Sequence, residues 1–280
     1  MPHIINGNEI ASLIKNELRE EVIKRKTQDP TWSASLVVIQ VGDDPASSVY
    51  VRNKRLACTS LGILSVEYKL SEHTTEAEIM YLIQSLNDDV KVSGILVQLP
   101  LPKHINEQLI IETIHPTKDV DGFHPENVGK LWLGNTGYLS CTPAGVIQLL
   151  KRSNISLAGK HCVIIGRSNI VGKPMAALLL REDATVTICH SRTTDLQHIT
   201  RQADILIVAM GIPRFITKEY VKEGAVVIDV GIHRIDQKLC GDVDYDDVAP
   251  ITSAITPVPG GVGPMTIAML MTNVLQAKRS

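Results

Sequence analysis

Short apolar runs alternating with segments of helical period constrain this chain more than any other feature. Residues 36–41 (LVVIQV) form a nearly continuous apolar run, the pattern of a strand covered on both faces. Ahead of it, Ile10, Leu13, Ile14, Leu18 and Val22 share one helical face. After it, a helix from about Ser47 ends at Gly62, a residue suited to a left-handed cap. Residues 63–70 then read as a strand, 75–86 as a helix, and 94–99 as a strand stopped by the prolines of L-P-L-P. A second series of strands at 161–165, 185–189, 205–210 and 225–230 has helical patterns between its first three members. Strand–helix–strand succession makes parallel sheets with helical crossovers, so the fold class is α/β. The second half reads as a Rossmann-like, doubly wound parallel sheet.

At 280 residues the chain is about twice the ~150-residue expectation for one domain. The alternation restarts near residue 140, where Thr142 and Pro143 offer an N-cap and a first-turn proline for a helix ending near Arg152. The expected domains are therefore 1–139 and 140–263. A last helix opening at Pro264 carries Ile267, Ala268, Met271, Val274 and Leu275 as one stripe that needs a partner surface. Packing on the first domain would complete that domain with residues 264–280. Twenty-eight Lys and Arg against 30 Asp and Glu leave a net charge of −2. That balance excludes a broad basic field for nucleic acid or an anionic membrane, so any anion is bound locally. No apolar stretch approaches the ~20 residues of a membrane helix. The opening M-P-H-I-I-N-G-N-E lacks the pattern of a secretory leader, which makes the cytoplasm the expected address. Cys58, Cys141, Cys162, Cys189 and Cys240 form no C-x-x-C and read as reduced structural thiols. The nine histidines show no H-x-x-x-H, and no catalytic metal is expected.

Chemistry-bearing residues stand at the ends of these elements. The strand H-C-V-I-I runs into G-R-S-N-I-V-G-K-P at 166–174 and then into a helical run. Strand, glycine turn and helix N-terminus together suit a pyrophosphate. Ser168 replaces the second glycine of G-x-G-x-x-G and Gly172 comes one residue late, so a βα turn that binds nothing is the alternative. After V-T-I-C-H, Ser191 and Arg192 stand where an NAD site carries an acid. With Arg167 they suit a 2′-phosphate and point to NADP. Taken singly, Arg192 is a commonplace surface charge; its coincidence with the missing acid gives it weight.

In the first half, Tyr50 and Lys54 at i and i+4 project from one helical face, either as a working pair or as a solvated one. Short-chain dehydrogenases share this spacing, but there the pair follows the glycine turn, whereas here it precedes Gly166. Gln98 lies near the carboxyl end of a strand, where open α/β sheets place ligand groups, though it equally suits a loop cap. Asp119 and Asp121 precede Gly122, an arrangement in which one acid faces solvent and the other meets a ligand. Residues 256–266 hold three glycines and three prolines, a rigid backbone suited to close approach by a flat ligand.

Y-V-R-N-K at 50–54, V-Q-L-P-L-P at 97–102, K-D-V-D-G-F at 118–123, G-R-S-N-I-V-G-K-P at 166–174 and P-G-G-V-G-P-M-T at 259–266 span essentially the whole chain. In this order they resemble the bifunctional methylenetetrahydrofolate dehydrogenase/methenyltetrahydrofolate cyclohydrolase family. The resemblance implies two α/β domains around a cleft, NADP on the second, the last helix returning to the first, and a homodimer. It implies oxidation of 5,10-methylenetetrahydrofolate to the methenyl form with NADP, then hydrolysis to 10-formyltetrahydrofolate. By the same resemblance Lys54 is the catalytic lysine, Tyr50 stacks on the folate, Gln98 hydrogen-bonds near the lysine, and Asp121 grips the pterin edge. Val97, Leu99, Pro259, Gly260, Gly261, Val262 and Gly263 complete the folate contacts. Gly166, Arg167, Ser168, Ser191 and Ile232 match the positions that hold NADP, and Arg192 joins the cofactor residues on the missing acid alone. The competing readings are a monofunctional dehydrogenase, another nicotinamide enzyme on the same plan, and a silent NADP-binding scaffold. Lys54, Gln98 and Asp121 standing together argue against the scaffold.

Overall fold

In a computed structural model, which describes residues 2–236 and 238–277 with Ala46 by its backbone alone, the chain alternates strands and helices throughout. Residues 278–280, expected to end the last helix, lie outside the described residues. Strand β1 (His3–Ile4) and helix α1 (Gly7–Gln28) come first. They are followed by β2 (Ser35–Val41), α2 (Pro45–Leu61), β3 (Leu64–Leu70), α3 (Glu76–Asp88) and β4 (Gly94–Val97). Two short helices, α4 (Glu107–Thr113) and α5 (Pro125–Trp132), lead to α6 (Cys141–Arg152). The second series is β5 (His161–Ile165), α7 (Gly172–Arg181), β6 (Thr185–Cys189), α8 (Leu196–Thr200), β7 (Ile205–Val208) and β8 (Val226–Asp229). A hairpin of β9 (His233–Ile235) and β10 (Lys238–Cys240), helix α9 (Tyr245–Val248), β11 (Ala254–Ile255) and helix α10 (Val262–Gln276) complete it.

These elements form two compact units. One holds Leu13–Leu139 and the residues from Ile267 on; the other holds the residues up to Ser12 and Ser140–Thr266. In the first unit β3, β2 and β4 make a parallel sheet in that order. Central β2 is buried along its whole length, which is why its sequence shows no alternation, whereas the edge strand β3 mixes Leu64, Val66 and Tyr68 with Ser65, Glu67 and Lys69. Val37, Ile39, Ile79, Ile83, Ile95 and Ile110 fill one side of this sheet. Helix α2 starts earlier than the expected Ser47: Asp44 caps it by accepting from the Ser47 N–H at 2.7 Å, and Pro45 stands in the first turn. Gly62, at φ 68°, closes it. Thr75 and Glu78 form a reciprocal capping box at the start of α3.

The second unit contains a six-stranded parallel sheet in the order β1, β11, β8, β7, β5, β6. Because β5 lies between β6 and β7, the winding reverses there and a switch point opens beyond Ile165. The sequence reading groups residues 1–139 together, yet His3 and Ile4 pair with Ala254 and Ile255 at the edge of this sheet. Two further helix starts differ from expectation for one reason. Ser140, not Thr142, is the cap residue of α6, and α10 opens at Val262, ahead of Pro264. First-turn N–H groups have no intrahelical acceptor, so proline fits several first-turn positions and does not fix the first residue. The Thr142 hydroxyl instead shares a 2.9 Å hydrogen bond with that of Thr266. The strands β4 and β7 end at Val97 and Val208, two residues short of the apolar runs that marked them. All five cysteines are buried thiols outside any disulfide. No helix among the described residues is long and apolar enough to cross a membrane.

Candidate active site

Helix α2 presents Tyr50, Lys54 and Cys58 at successive fourth positions, hence on one face. Lys54 is buried, with 7% of its surface exposed, and its Nζ donates to Oε1 of Gln98 at 3.0 Å. Gln98 is itself fixed at both ends. Its backbone N–H donates to the Ile39 carbonyl at 2.8 Å, continuing the β2–β4 ladder by one residue, and its Nε2 donates to the Leu99 carbonyl at 2.7 Å. With the amide nitrogen so engaged, the oxygen faces the lysine. No carboxylate pairs with Lys54 among the described residues, so a neutral group holds the amine in place without adding a counter-charge. Tyr50 is half-buried, and burial raises its phenol above the usual range. One turn beyond Lys54, burial pushes the Cys58 thiol up to about 11, leaving it protonated and unreactive at neutral pH. Val97 is buried and Leu99 half-buried.

The charges of the K-D-V-D-G-F segment differ in their surroundings. Lys118 Nζ donates to the carbonyls of Leu86, Asn87 and Asp89 at 2.7–2.9 Å, closing the end of α3. Asp119 does not face solvent or a ligand: it is 2% exposed and accepts from the Phe123 N–H, the His124 N–H and Asn127 Nδ2. Asp121 is half-buried. Asn273 of α10 donates to the carbonyls of Val120 and Leu139 at 2.8 and 2.9 Å, anchoring the residue beside Asp121. Burial pushes Asp119 up to about 6 against the pull of its three donors, with Asp121 adding repulsion. A carboxyl raised above its unfolded value of ~3.9 favours the folded state below that value, and this contribution is lost as pH rises through about 6. In Asp119→Asn one amide face would oppose an N–H donor, a cost of ~1–3 kcal/mol. We therefore expect a lower thermal midpoint for this variant at every pH. The gap to the wild type should shrink between pH 4 and 7 as the wild type alone loses stability. A gap that widens over that range, measured by calorimetry, would contradict the assignment.

In the second unit the switch point is occupied by the turn after β5. Gly166 has φ +131° and donates its N–H to the Cys189 carbonyl at 2.9 Å. A Cβ at Gly166 would overlap the Ala209 carbonyl oxygen, and one at Gly172 would overlap the Gly166 carbonyl oxygen. Gly172 thus serves the close helix–strand packing of a dinucleotide turn despite its late position. Ser168, in place of the second glycine, accepts from the Val171 N–H at 3.1 Å and organises the turn. Arg167, Ser168, Ser191 and Arg192 are exposed. The guanidinium groups of Arg167 and Arg192 make no hydrogen bond or ion pair among the described residues. Gly166 and Ser191 follow adjacent parallel strands, with Ile165 opposite Cys189 in the register. An open glycine turn, two unengaged cations and no acid after β6 fit a dinucleotide carrying a 2′-phosphate. Ile232, 46% exposed, follows β8.

Pro259–Gly263 lies mostly in irregular backbone, with Val262 and Gly263 in the first turn of α10. Gly260 has φ +103° and accepts at its carbonyl from the Asn8 N–H at 3.2 Å. A side chain at Gly261 would collide with the Pro257 carbonyl. Sequence reasoning passed over Asp229, His233 and Asp242. Asp229 ends β8 and accepts from the N–H groups of Gly231, Asp242 and Val243 at 2.9–3.0 Å. Burial pushes it up to about 7 against those donors, with Asp242 adding repulsion. An acid closing the apolar strand V-V-I-D, two residues before Gly231, was the available signal.

A glycine turn at the switch point of a parallel sheet defines the class as a dinucleotide-binding enzyme. The sequence matches the tetrahydrofolate dehydrogenase/cyclohydrolase catalytic domain over residues 5–121 and the NAD(P)-binding domain of the same family over 140–280. This chain belongs to the tetrahydrofolate dehydrogenase/cyclohydrolase family. A bifunctional protein FolD of Lachnoclostridium phytofermentans is 65% identical, the match covering 98% of this chain and 96% of that protein. The crystal structure of the bifunctional FolD dehydrogenase/cyclohydrolase from Campylobacter jejuni superposes with a TM-score of 0.96 at 51% identity, covering 99% of this chain and 98% of that one. The Trypanosoma brucei methylenetetrahydrofolate dehydrogenase-cyclohydrolase, complexed with NADP and inhibitor, gives 0.95 at 37%, covering 99% and 97%.

Proposed function

We propose that this protein oxidises 5,10-methylenetetrahydrofolate to 5,10-methenyltetrahydrofolate with NADP and hydrolyses that product to 10-formyltetrahydrofolate. The observation that carries the reading is the buried Lys54 amine held by the neutral Gln98 amide, on a chain whose matched family and Campylobacter jejuni structural relative are named for both activities. NADP, when bound, supplies the acceptor for the hydride leaving the one-carbon bridge. The chain's own task in that step is alignment: Tyr50 stacks on the folate, Asp121 grips the pterin edge, and Val97, Leu99 and Pro259–Gly263 supply further contacts. In the second step water adds to the methenyl carbon, the ring opens, and one proton is released. Lys54 takes and returns protons there, positioned by Gln98. Gly166, Arg167, Ser168, Ser191, Arg192 and Ile232 hold NADP.

In this reading residues 1–139, completed by 264–280, serve the folate, and 140–263 serve the cofactor while lending Pro259–Gly263 to the folate. It also carries a homodimer, which light scattering tests, and a cytoplasmic address, with which five buried thiols outside any disulfide agree. The activity is tested by supplying purified protein with 5,10-methylenetetrahydrofolate and following reduced cofactor and the methenyl absorbance together. We expect faster reduction of NADP than of NAD, without methenyl build-up. Accumulating methenyl would make the enzyme a monofunctional dehydrogenase, and no reduction of either cofactor would remove the reading altogether.

A further inference from the structure

Asp242 lies directly after the β9–β10 hairpin and its neighbour Gly241, and the hairpin folds the chain back so that this side chain reaches the carboxyl ends of β7 and β8. It is fully buried, at 0% exposure. Oδ2 accepts from the N–H groups of Met210 and Gly211, at 2.7 and 3.0 Å, in the turn after β7. Oδ1 accepts from Nε2 of His233 at 2.7 Å, in the segment after β8. A Cβ on Gly231 would overlap the same carboxylate, so Asp242 also packs against that backbone. Gly231 is held a second time, by its N–H bond to Asp229, and Asp229 in turn accepts from the Asp242 and Val243 N–H groups. The Asp229 N–H donates to the Thr256 hydroxyl at 2.8 Å, which ties in the segment that follows β11.

Ile232 therefore stands between two residues that Asp242 touches, while its own side chain stays open. The phosphate turn at Gly166 and the groups suited to a 2′-phosphate, Ser191 and Arg192, lie beyond β5 and β6. A dinucleotide spans both sides of a switch point, so its other half falls beyond β7 and β8, over Met210, Gly211 and Ile232. We infer that Asp242 is the positioning residue for the nicotinamide half of the cofactor, fixing the Met210–Gly211 turn and, through Gly231 and His233, the backbone of Ile232. The inference rests on the proposed NADP site. Carboxylate chemistry suits the task because one group offers acceptors to three donors at once and no donor of its own. Removing it takes from the Met210 and Gly211 N–H groups their shared acceptor and leaves both turns free to move.

The test is calorimetric titration of NADP into the folate-free protein, paired with hydrolysis of supplied 5,10-methenyltetrahydrofolate, which consumes no cofactor. Asp242→Ala is expected to raise the NADP Kd about tenfold or more while hydrolysis stays at the wild-type rate. Asp242→Asn should recover most of the affinity, since its oxygen still accepts from Met210 and Gly211 and the His233 ring can present an acceptor to its NH2 group. If Asp242→Ala does not fold by circular dichroism, His233→Ala carries the test. It frees Oδ1 alone, on the partly exposed side, and is expected to weaken NADP severalfold, again sparing hydrolysis. Unchanged NADP affinity in the folded variant overturns the inference, as does hydrolysis falling in step with affinity, the mark of a merely structural role. Wild-type protein that binds NADP but leaves folates untouched overturns the folate reading alone, because the titration needs no folate.

Discussion

Lys54→Met is expected to lower cyclohydrolase turnover by ~10²–10⁴-fold, the range for losing a positioned proton-transfer group, while NADP binding is retained. Methionine keeps the length of the buried stem and its packing but cannot donate to Gln98 Oε1, whose partner at 3.0 Å is this amine. The lost hydrogen bond should cost ~1–3 kcal/mol of stability, too little to unfold a chain of this size. Hydride transfer exchanges no proton with the lysine, so dehydrogenation should fall less than hydrolysis and methenyltetrahydrofolate should build up. The readout is the methenyl absorbance during turnover of the methylene substrate. NADP affinity serves as the control because every residue assigned to the cofactor belongs to the other compact unit. Hydrolysis by the variant at the wild-type rate would take the role from Lys54.

The sequence made some features legible because their causes are local. Buried parallel strands read as apolar runs, and β5 and β6 match the expected bounds residue for residue. Gly62 and Thr75 declare helix ends through backbone freedom and a side-chain cap. Where the cause is distant, the sequence is silent. Strand β1 has two residues, too few for any period, and exists because β11 lies beside it. Asp119 and Asp121 are the same residue type two positions apart. Only the turn that brings the Phe123 and His124 N–H groups back shows that the first is structural. The contacts of Asp242 with Met210 and Gly211 join residues 32 and 31 positions apart, and no local pattern announces them. The paired Lys54 and Gln98 fall between these cases: each motif was readable, but their hydrogen bond spans 44 positions and follows from the register of β2 with β4.

Gly166→Ala is expected to weaken NADP binding by ~10²-fold or more. The effect is steric. A φ of +131° lies outside the regions open to a residue with a Cβ, a strain of ~1–3 kcal/mol by itself. The added methyl would also overlap the Ala209 carbonyl oxygen, which is backbone and cannot swing aside as a side-chain tip would. Relief requires the ends of β5 and β7 to part. That movement pulls on the Gly166 N–H to Cys189 carbonyl bond and on the Ala209 N–H to Ile165 carbonyl bond. It also disturbs the contact of Gly172 with the Gly166 carbonyl, on which the start of α7 rests. At ~1.4 kcal/mol per factor of ten, strain and overlap together reach the stated effect. Gly129→Ala is the matched control: it lies inside α5 with nothing within 4 Å of an added Cβ, and alanine there should stabilise the helix by ~0.5–1 kcal/mol. Titration of NADP into both variants separates a general intolerance of substitution from a turn that only glycine can form. Gly166→Ala binding NADP as tightly as Gly129→Ala would mean that the cofactor does not depend on this turn.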